Sequence, residues 1–145
     1  MKTVMVFGTF DGVHPGHEYF LEEARKLGDR LIVCIARDGV VVELKGREPK
    51  RPEIERREAL AECAVVDEVF YGDRELGSWK ILEEVKPDLI ALGYDQTALQ
   101  DEIEKWIASH GLTIETVTIA SHRPDLYKSS LIPPPAGDRS GRASA

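Results

Sequence analysis

His14, Pro15, Gly16 and His17 place two imidazoles three residues apart, after an apolar run over residues 3–7 and before a helix-type pattern. A strand-to-helix junction of this kind offers unpaired backbone N–H groups and the positive end of a helix dipole, a natural seat for a phosphate. Imidazoles titrate near neutral pH, so a pair of them suggests phosphate chemistry as well as phosphate binding. The spacing also suits half of a zinc site. The remaining soft or imidazole ligands, Cys34, Cys63, His110 and His122, are scattered singly, which sets zinc aside.

Three further segments carry unusual residues. Between positions 45 and 57, Lys45, Arg47, Lys50, Arg51, Arg56 and Arg57 outnumber Glu48, Glu53 and Glu55. This is the only locally basic stretch of an acidic chain. It reads either as a solvated loop and helix face or as a phosphate-binding arm, in which lysine supplies a point charge and arginine a bidentate fork. Gly93, Tyr94, Asp95 and Gln96 follow an apolar run; they form either an ordinary capped turn or a loop that hydrogen-bonds a base or ribose. Ser129 and Ser130, after Lys128, would supply hydroxyls and N–H groups at a helix start.

Apolar runs of strand length alternate with helical patterns, as in a parallel sheet covered on both faces. The pattern predicts strands over 3–7, 30–36, 68–71, 89–92 and 113–119, and helices over 17–27, 53–63, 78–85 and 101–109. In the first helix Phe20, Leu21, Ala24 and Leu27 recur at helical spacing while Glu22, Glu23, Arg25 and Lys26 face water. The expected fold is an α/β single Rossmann-like doubly wound parallel five-stranded sheet with helices on both faces. Such sheets bind ligands outside the C-terminal ends of their strands, where strand order reverses. The signature loop, Arg37-Asp38 and the 93–96 segment all fall at those ends.

The 145 residues fit one domain, read as 1–132, and the formal charge is −7. That charge argues against generic nucleic-acid binding, which needs a broad basic surface. No apolar stretch approaches the roughly 20 residues of a membrane span, and the N-terminus lacks a signal-peptide pattern. A cytoplasmic protein is expected, with Cys34 and Cys63 as buried thiols. Residues 133–145 lose apolar periodicity after three prolines and read as a flexible tail.

The segment Val6-Phe7-Gly8-Thr9-Phe10-Asp11-Gly12-Val13-His14-Pro15-Gly16-His17 resembles the signature of the HxGH-type nucleotidyltransferase superfamily, which is cytidylyltransferase-like. Lys45 to Pro49 with the helix after Glu53 resembles the loop and helix of the small cytidylyltransferases and archaeal FAD synthases. Gly93 to Gln96 and Tyr127 to Ile132 look most like the archaeal FAD synthase branch. The arginine-initiated RTEGIST-type signature of the glycerol-3-phosphate cytidylyltransferases is absent, leaving Arg123 and Lys128 to replace its charge.

The resemblance implies FMN adenylyltransferase activity, with ATP and FMN giving FAD and pyrophosphate. A cytidylyltransferase acting on glycerol 3-phosphate or a related small phosphate is the alternative, and a non-catalytic nucleotide sensor is a reading of another class. It also implies catalytic roles for His14, His17, Lys45 and Arg56, the last two at the triphosphate. Nucleotide binding then falls to Gly8, Thr9, Phe10, Asp11, His14, His17, Gly93, Tyr94, Asp95, Gln96, Lys128, Ser129 and Ser130. Mg²⁺ is expected with the triphosphate, without a dedicated protein cage; Asp11 either meets it through water or holds a backbone turn. A homodimer is expected on resemblance alone.

Overall fold

The strand-length apolar runs form one sheet in the computed structural model, which describes residues 1–12, 15–75 and 77–120. The elements in chain order are β1 (Thr3–Gly8), α1 (Pro15–Arg25), β2 (Arg30–Ile35), α2 (Asp38–Lys45), α3 (Glu53–Ala61), β3 (Glu68–Tyr71), α4 (Ile81–Val85), β4 (Leu89–Gly93), α5 (Thr97–Ser109) and β5 (Glu115–Ile119). All neighbouring strands run parallel in the order β3-β2-β1-β4-β5. This is the doubly wound sheet expected from the alternating pattern. His14, Arg123, Lys128, Ser129, Ser130 and the 133–145 tail lie outside the described residues.

Successive side chains of a strand point to opposite faces, and both faces here are apolar. Val4 and Val6 of β1 join Leu31, Val33 and Ile35 of β2 beneath Leu21 and Ala24 of α1 and Leu60 of α3. Met5 and Phe7 join Ile32, Cys34, Ile90 and Leu92 beneath Leu82 of α4 and Ile103 and Ile107 of α5. The N-terminal edge of the sheet is pinned by a repeated device. Asp29, Asp67 and Asp88 each immediately precede a strand, and their carboxylates accept 2.8 Å hydrogen bonds from the N–H groups of Lys2, Leu31 and Thr3 respectively. Each aspartate's own N–H donates back to the carbonyl of the same residue, so three reciprocal pairs fix register.

One helix departs from the sequence expectation. α2 falls where no helix was predicted; its Val40, Val41 and Val42 lower helix propensity, and Val41 is its only buried residue. It is held at its ends. The Asp38 N–H donates to Glu53 at 2.8 Å, and Gly46, with φ 75°, closes the helix by donating to the Val42 carbonyl. α1 begins at Pro15, a residue suited to a first helical position because its missing N–H would be unpaired there anyway.

A knot of polar contacts closes the C-terminal edge of the sheet. Asp11 accepts the backbone N–H groups of Lys50 and Arg51 at 2.7 and 3.0 Å. From the other side Arg56, fully buried on α3, donates through Nε to the Arg51 carbonyl at 3.0 Å and through Nη1 to the carbonyls of Thr9 and Ala36 at 2.9 and 2.8 Å. Its Nη2 meets Asp38 at 2.7 Å. Four of the five guanidinium N–H groups are thus committed to the chain itself. The expectation that Arg56 reaches a triphosphate is corrected for this conformation: its charge points into the corner that joins the exits of β1 and β2 to α2 and α3.

Removing that guanidinium would strand the buried Thr9 carbonyl, loosen the part-buried carbonyls of Ala36 and Arg51 and release Asp38, so Arg56→Ala should lose about 2–4 kcal/mol of stability in urea unfolding. A loss within the error of the measurement would contradict the clamp. Asp11 gives a pH prediction. Desolvation raises its pKa, but the two N–H donors with the charges of Arg56 and Lys45 outweigh this and hold it below the ordinary 3.8. A depressed folded-state value means that the stabilisation is complete above the unfolded value and is lost as pH falls through the folded one. The stability gap between wild type and Asp11→Asn should therefore stay level down to pH 3.8 and narrow below it.

Candidate functional site

The reversal of strand order falls between β1 and β4, and there the sheet opens. β1 and β2 stay in register from Thr3↔Arg30 to Gly8↔Ile35. β1 and β4 pair only at Val4↔Leu89 and Met5↔Ile90. Beyond Met5 the separation is bridged by a side chain. The Gln96 amide accepts the Gly93 N–H at 2.7 Å and donates to the Phe7 carbonyl at 3.1 Å. Gln96 was expected to contact a base or ribose; in this conformation its amide spans the mouth of the split. Gly93 permits the approach, since a Cβ there would stand 3.0 Å from Asp95 Oδ1 and 3.4 Å from Gln96 Oε1. Asp95 and Tyr94 are exposed on the same turn.

On the α1 side of the sheet the signature loop leaves β1 through Gly8 and Thr9 and turns at Phe10, which adopts φ 51° although buried. A bulky residue in the left-handed region is strained. The conformation plants the ring in the core, where it meets the His17 imidazole edge-on at 5.2 Å between centroids. His17 is 4% exposed in the first turn of α1, so the ring is held by packing at the helix N-terminus. Thr9 is buried too, with its carbonyl taken by Arg56.

The basic segment divides in the structure. Lys45 is exposed at the end of α2, close enough for its charge to lower the Asp11 pKa. Arg51 is anchored by its own N–H to Asp11 and its own carbonyl to Arg56. Its Nε lies 3.8 Å from where a Cβ on Gly12 would stand, beside the turn that enters α1. The sequence signal for Arg51 was only its membership of the basic run. With both Asp11 oxygens committed to backbone, and no group of three His, Cys, Asp or Glu side chains among the described residues placed to share a metal, these residues do not fit a protein-held cation.

On the opposite face, below α4 and α5, the strand ends open into a cavity of about 380 Å³. Phe7, Val40, Leu44, Trp79 and Leu99 supply apolar walls. Asp73, Glu75, Asp95 and Glu102 also line it. Trp79 stands edge-on to Phe7 at 5.4 Å and 82°. Asp73 is fixed by the Ser78 hydroxyl and the Ile81 N–H at 3.1 and 3.3 Å. Cys34 also lines the cavity, and burial, with the Asp73 charge beside it, pushes its thiol pKa up to about 12 against a smaller lowering by Arg37. It remains a protonated thiol and no nucleophile. Of the residues that line this cavity, Gly8, Thr9, Asp95 and Gln96 were singled out by pattern and the others were not.

Among the described residues no helix is long and apolar enough to cross a membrane. The cytidylyltransferase-like family model matches residues 5–133. A protein named FAD synthase from Ferroglobus placidus is 44% identical over 119 residues, 82% of this chain and 76% of that protein. Its namesake from Methanothermobacter thermautotrophicus is 44% identical over 126 residues, covering 85% of this chain and 82% of the relative. Among solved structures, one described as the lipopolysaccharide core biosynthesis protein of Thermoplasma volcanium is 38% identical, with a TM-score of 0.75 over 84% of this chain and 98% of that one. Pantothenate synthetase from Thermus thermophilus shares the fold alone, at 17% identity and TM-score 0.62 over 86% of this chain and 58% of that one. The chain therefore belongs to the cytidylyltransferase-like family, and it is a nucleotidyltransferase.

Proposed function

We propose that the chain is an FMN adenylyltransferase, joining ATP and FMN into FAD with release of pyrophosphate. The observation that carries this reading is the near full-length likeness to archaeal proteins named FAD synthase, at 44% identity in two of them. The site is compatible with it in charge and shape. Cations and a helix N-terminus gather on the α1 side of the strand ends, where a triphosphate would lie.

In this reading a phosphate oxygen of FMN attacks the α-phosphorus of ATP. The bond from that phosphorus to the bridging oxygen breaks, and pyrophosphate leaves with the electron pair. The acceptor phosphate is already an anion, so no strong general base is required. His14 and His17 stabilise charge on the α-phosphoryl oxygens, His17 from a ring orientation set by Phe10. Lys45, with Arg51 at the Gly12 turn, attracts the leaving pyrophosphate. Ser129, Ser130 and Lys128 serve the same phosphates, and Gly93, Tyr94 and Asp95 the nucleoside. Arg56 and Gln96 act as positioning residues, holding the loops whose atoms meet the substrate. Mg²⁺ enters with ATP, held by phosphate oxygens and water.

The test is a grid of ATP or CTP against FMN or glycerol 3-phosphate, with Mg²⁺, reading pyrophosphate release and product mass. Only ATP with FMN should release pyrophosphate, with FAD formed; release confined to CTP would overturn the reading in favour of a cytidylyltransferase. In the same assay His17→Ala should lower kcat by roughly 10² or more, the scale of a lost transition-state donor. Near wild-type turnover in that variant would remove His17 from the mechanism.

A further inference from the structure

The cavity on the α4/α5 face has walls, a floor and an opening at the ends of β1 and β2, yet none of the phosphate chemistry above uses it. We propose that it is the seat of the acceptor's planar, uncharged ring system, which enters ring first so that its phosphate emerges at Gly8 and Thr9 beside the signature loop. This assignment rests on the reading of the chain as an adenylyltransferase with an aromatic acceptor.

Size is the first argument. About 380 Å³ lies within the roughly 300–1,000 Å³ of sites that enclose drug-sized ligands, and a three-carbon phosphate would leave most of it unfilled. The second is charge. Every charged side chain lining the cavity is a carboxylate: Asp73, Glu75, Asp95 and Glu102. A phosphate placed among them would meet like charge without a counterion and lose its water. An uncharged ring with an N–H group instead finds acceptors in Asp73, Glu75 and Glu102 and apolar area on Phe7, Trp79 and Leu99, while Asp95 at the rim stays with the nucleoside.

Connection is the third argument. Gly8 and Thr9 line the cavity and are also the first residues of the signature loop. A ligand whose ring lies on the α5 face therefore has its other end within reach of the α1 side, where Lys45 and Arg51 supply the positive charge. The walls are also preformed. Phe7 holds Trp79 edge-on, and Ser78 and the Ile81 N–H hold Asp73, so little ordering is left to the ligand.

The experiment is calorimetric titration of the full chain with riboflavin, which is the ring without its phosphate, and with FMN and ATP separately. Wild type is compared with Ala98→Trp and Val40→Trp, which plug the cavity from α5 and from α2. Riboflavin should bind wild type and compete with FMN but not with ATP. Each plug should weaken riboflavin and FMN by about tenfold or more while ATP stays within about twofold, which also shows that the variant is folded. Riboflavin and FMN binding unchanged in both variants would overturn the assignment, as would a loss confined to ATP, which would make the adenosine the occupant. FAD formation by wild type is followed in parallel. FAD made with plugs that do nothing defeats the cavity assignment alone; no FAD, with riboflavin binding still lost in the plugs, retains the cavity and retires FMN adenylylation; no FAD and no riboflavin binding defeats both.

Discussion

A guanidinium taken wholly out of water must find its hydrogen-bond partners inside the protein, and the corner around Arg56 is built to supply them. Three are backbone carbonyls, from Thr9, Ala36 and Arg51, and the fourth is the Asp38 carboxylate. These four residues belong to the signature loop, the exit of β2, the basic loop and the start of α2. At the strand exits the Ala36 N–H reaches the Gly8 carbonyl and the Gly72 N–H the Ile35 carbonyl, so the sheet is joined strand to strand. Arg56 ties this edge to the basic loop and to the start of α2. Asp11 completes the tie by taking the N–H groups on the other side of Arg51, so the basic loop is held from both faces of its backbone.

The second constraint is the parting of β1 from β4. Two crossovers leaving β1 and β4 in opposite directions open a crevice between them, and here pairing ends after Met5 and Ile90. An open split would leave backbone groups without partners, so the Gln96 amide takes one from each strand. The exits of the strands are then divided by charge. Lysine, arginine and a helix N-terminus lie towards α1, while carboxylates and apolar walls lie towards α5. A reaction that joins two phosphate-bearing molecules needs both phosphates on the cationic side and both uncharged portions kept clear of it.

Much of this was legible from local pattern. The five strands fall within a residue or two of the expected ranges because each is a dense apolar run, and β3 matches its range outright. The signature loop was legible because its glycines, proline and histidines have few other uses in that order. α2 was not, because three consecutive valines read against a helix, and its end contacts with Glu53 and Gly46 come from outside the pattern. The directions of Arg56 and Gln96 were not legible either. Both residue types serve equally as ligand contacts or as internal clamps, and the choice depends on which carbonyls the fold brings near. The cavity is the extreme case, since Phe7, Val40, Trp79 and Leu99 are adjacent only after three crossovers.

Phe10 shows how the loop and the core depend on each other. A left-handed backbone at a bulky residue costs on the order of 1–3 kcal/mol, and a glycine in its place would remove that strain. Glycine would also remove the ring that fills the space beneath α1 and sets the His17 imidazole edge-on. Burial of an aromatic side chain is worth about 1.5–3 kcal/mol, enough to offset the strain at roughly equal size. The loop is therefore close to neutral in stability while its geometry is tightly specified. On the proposed function that balance suits the His17 ring to a phosphate: an imidazole already fixed by packing needs no binding energy to orient it.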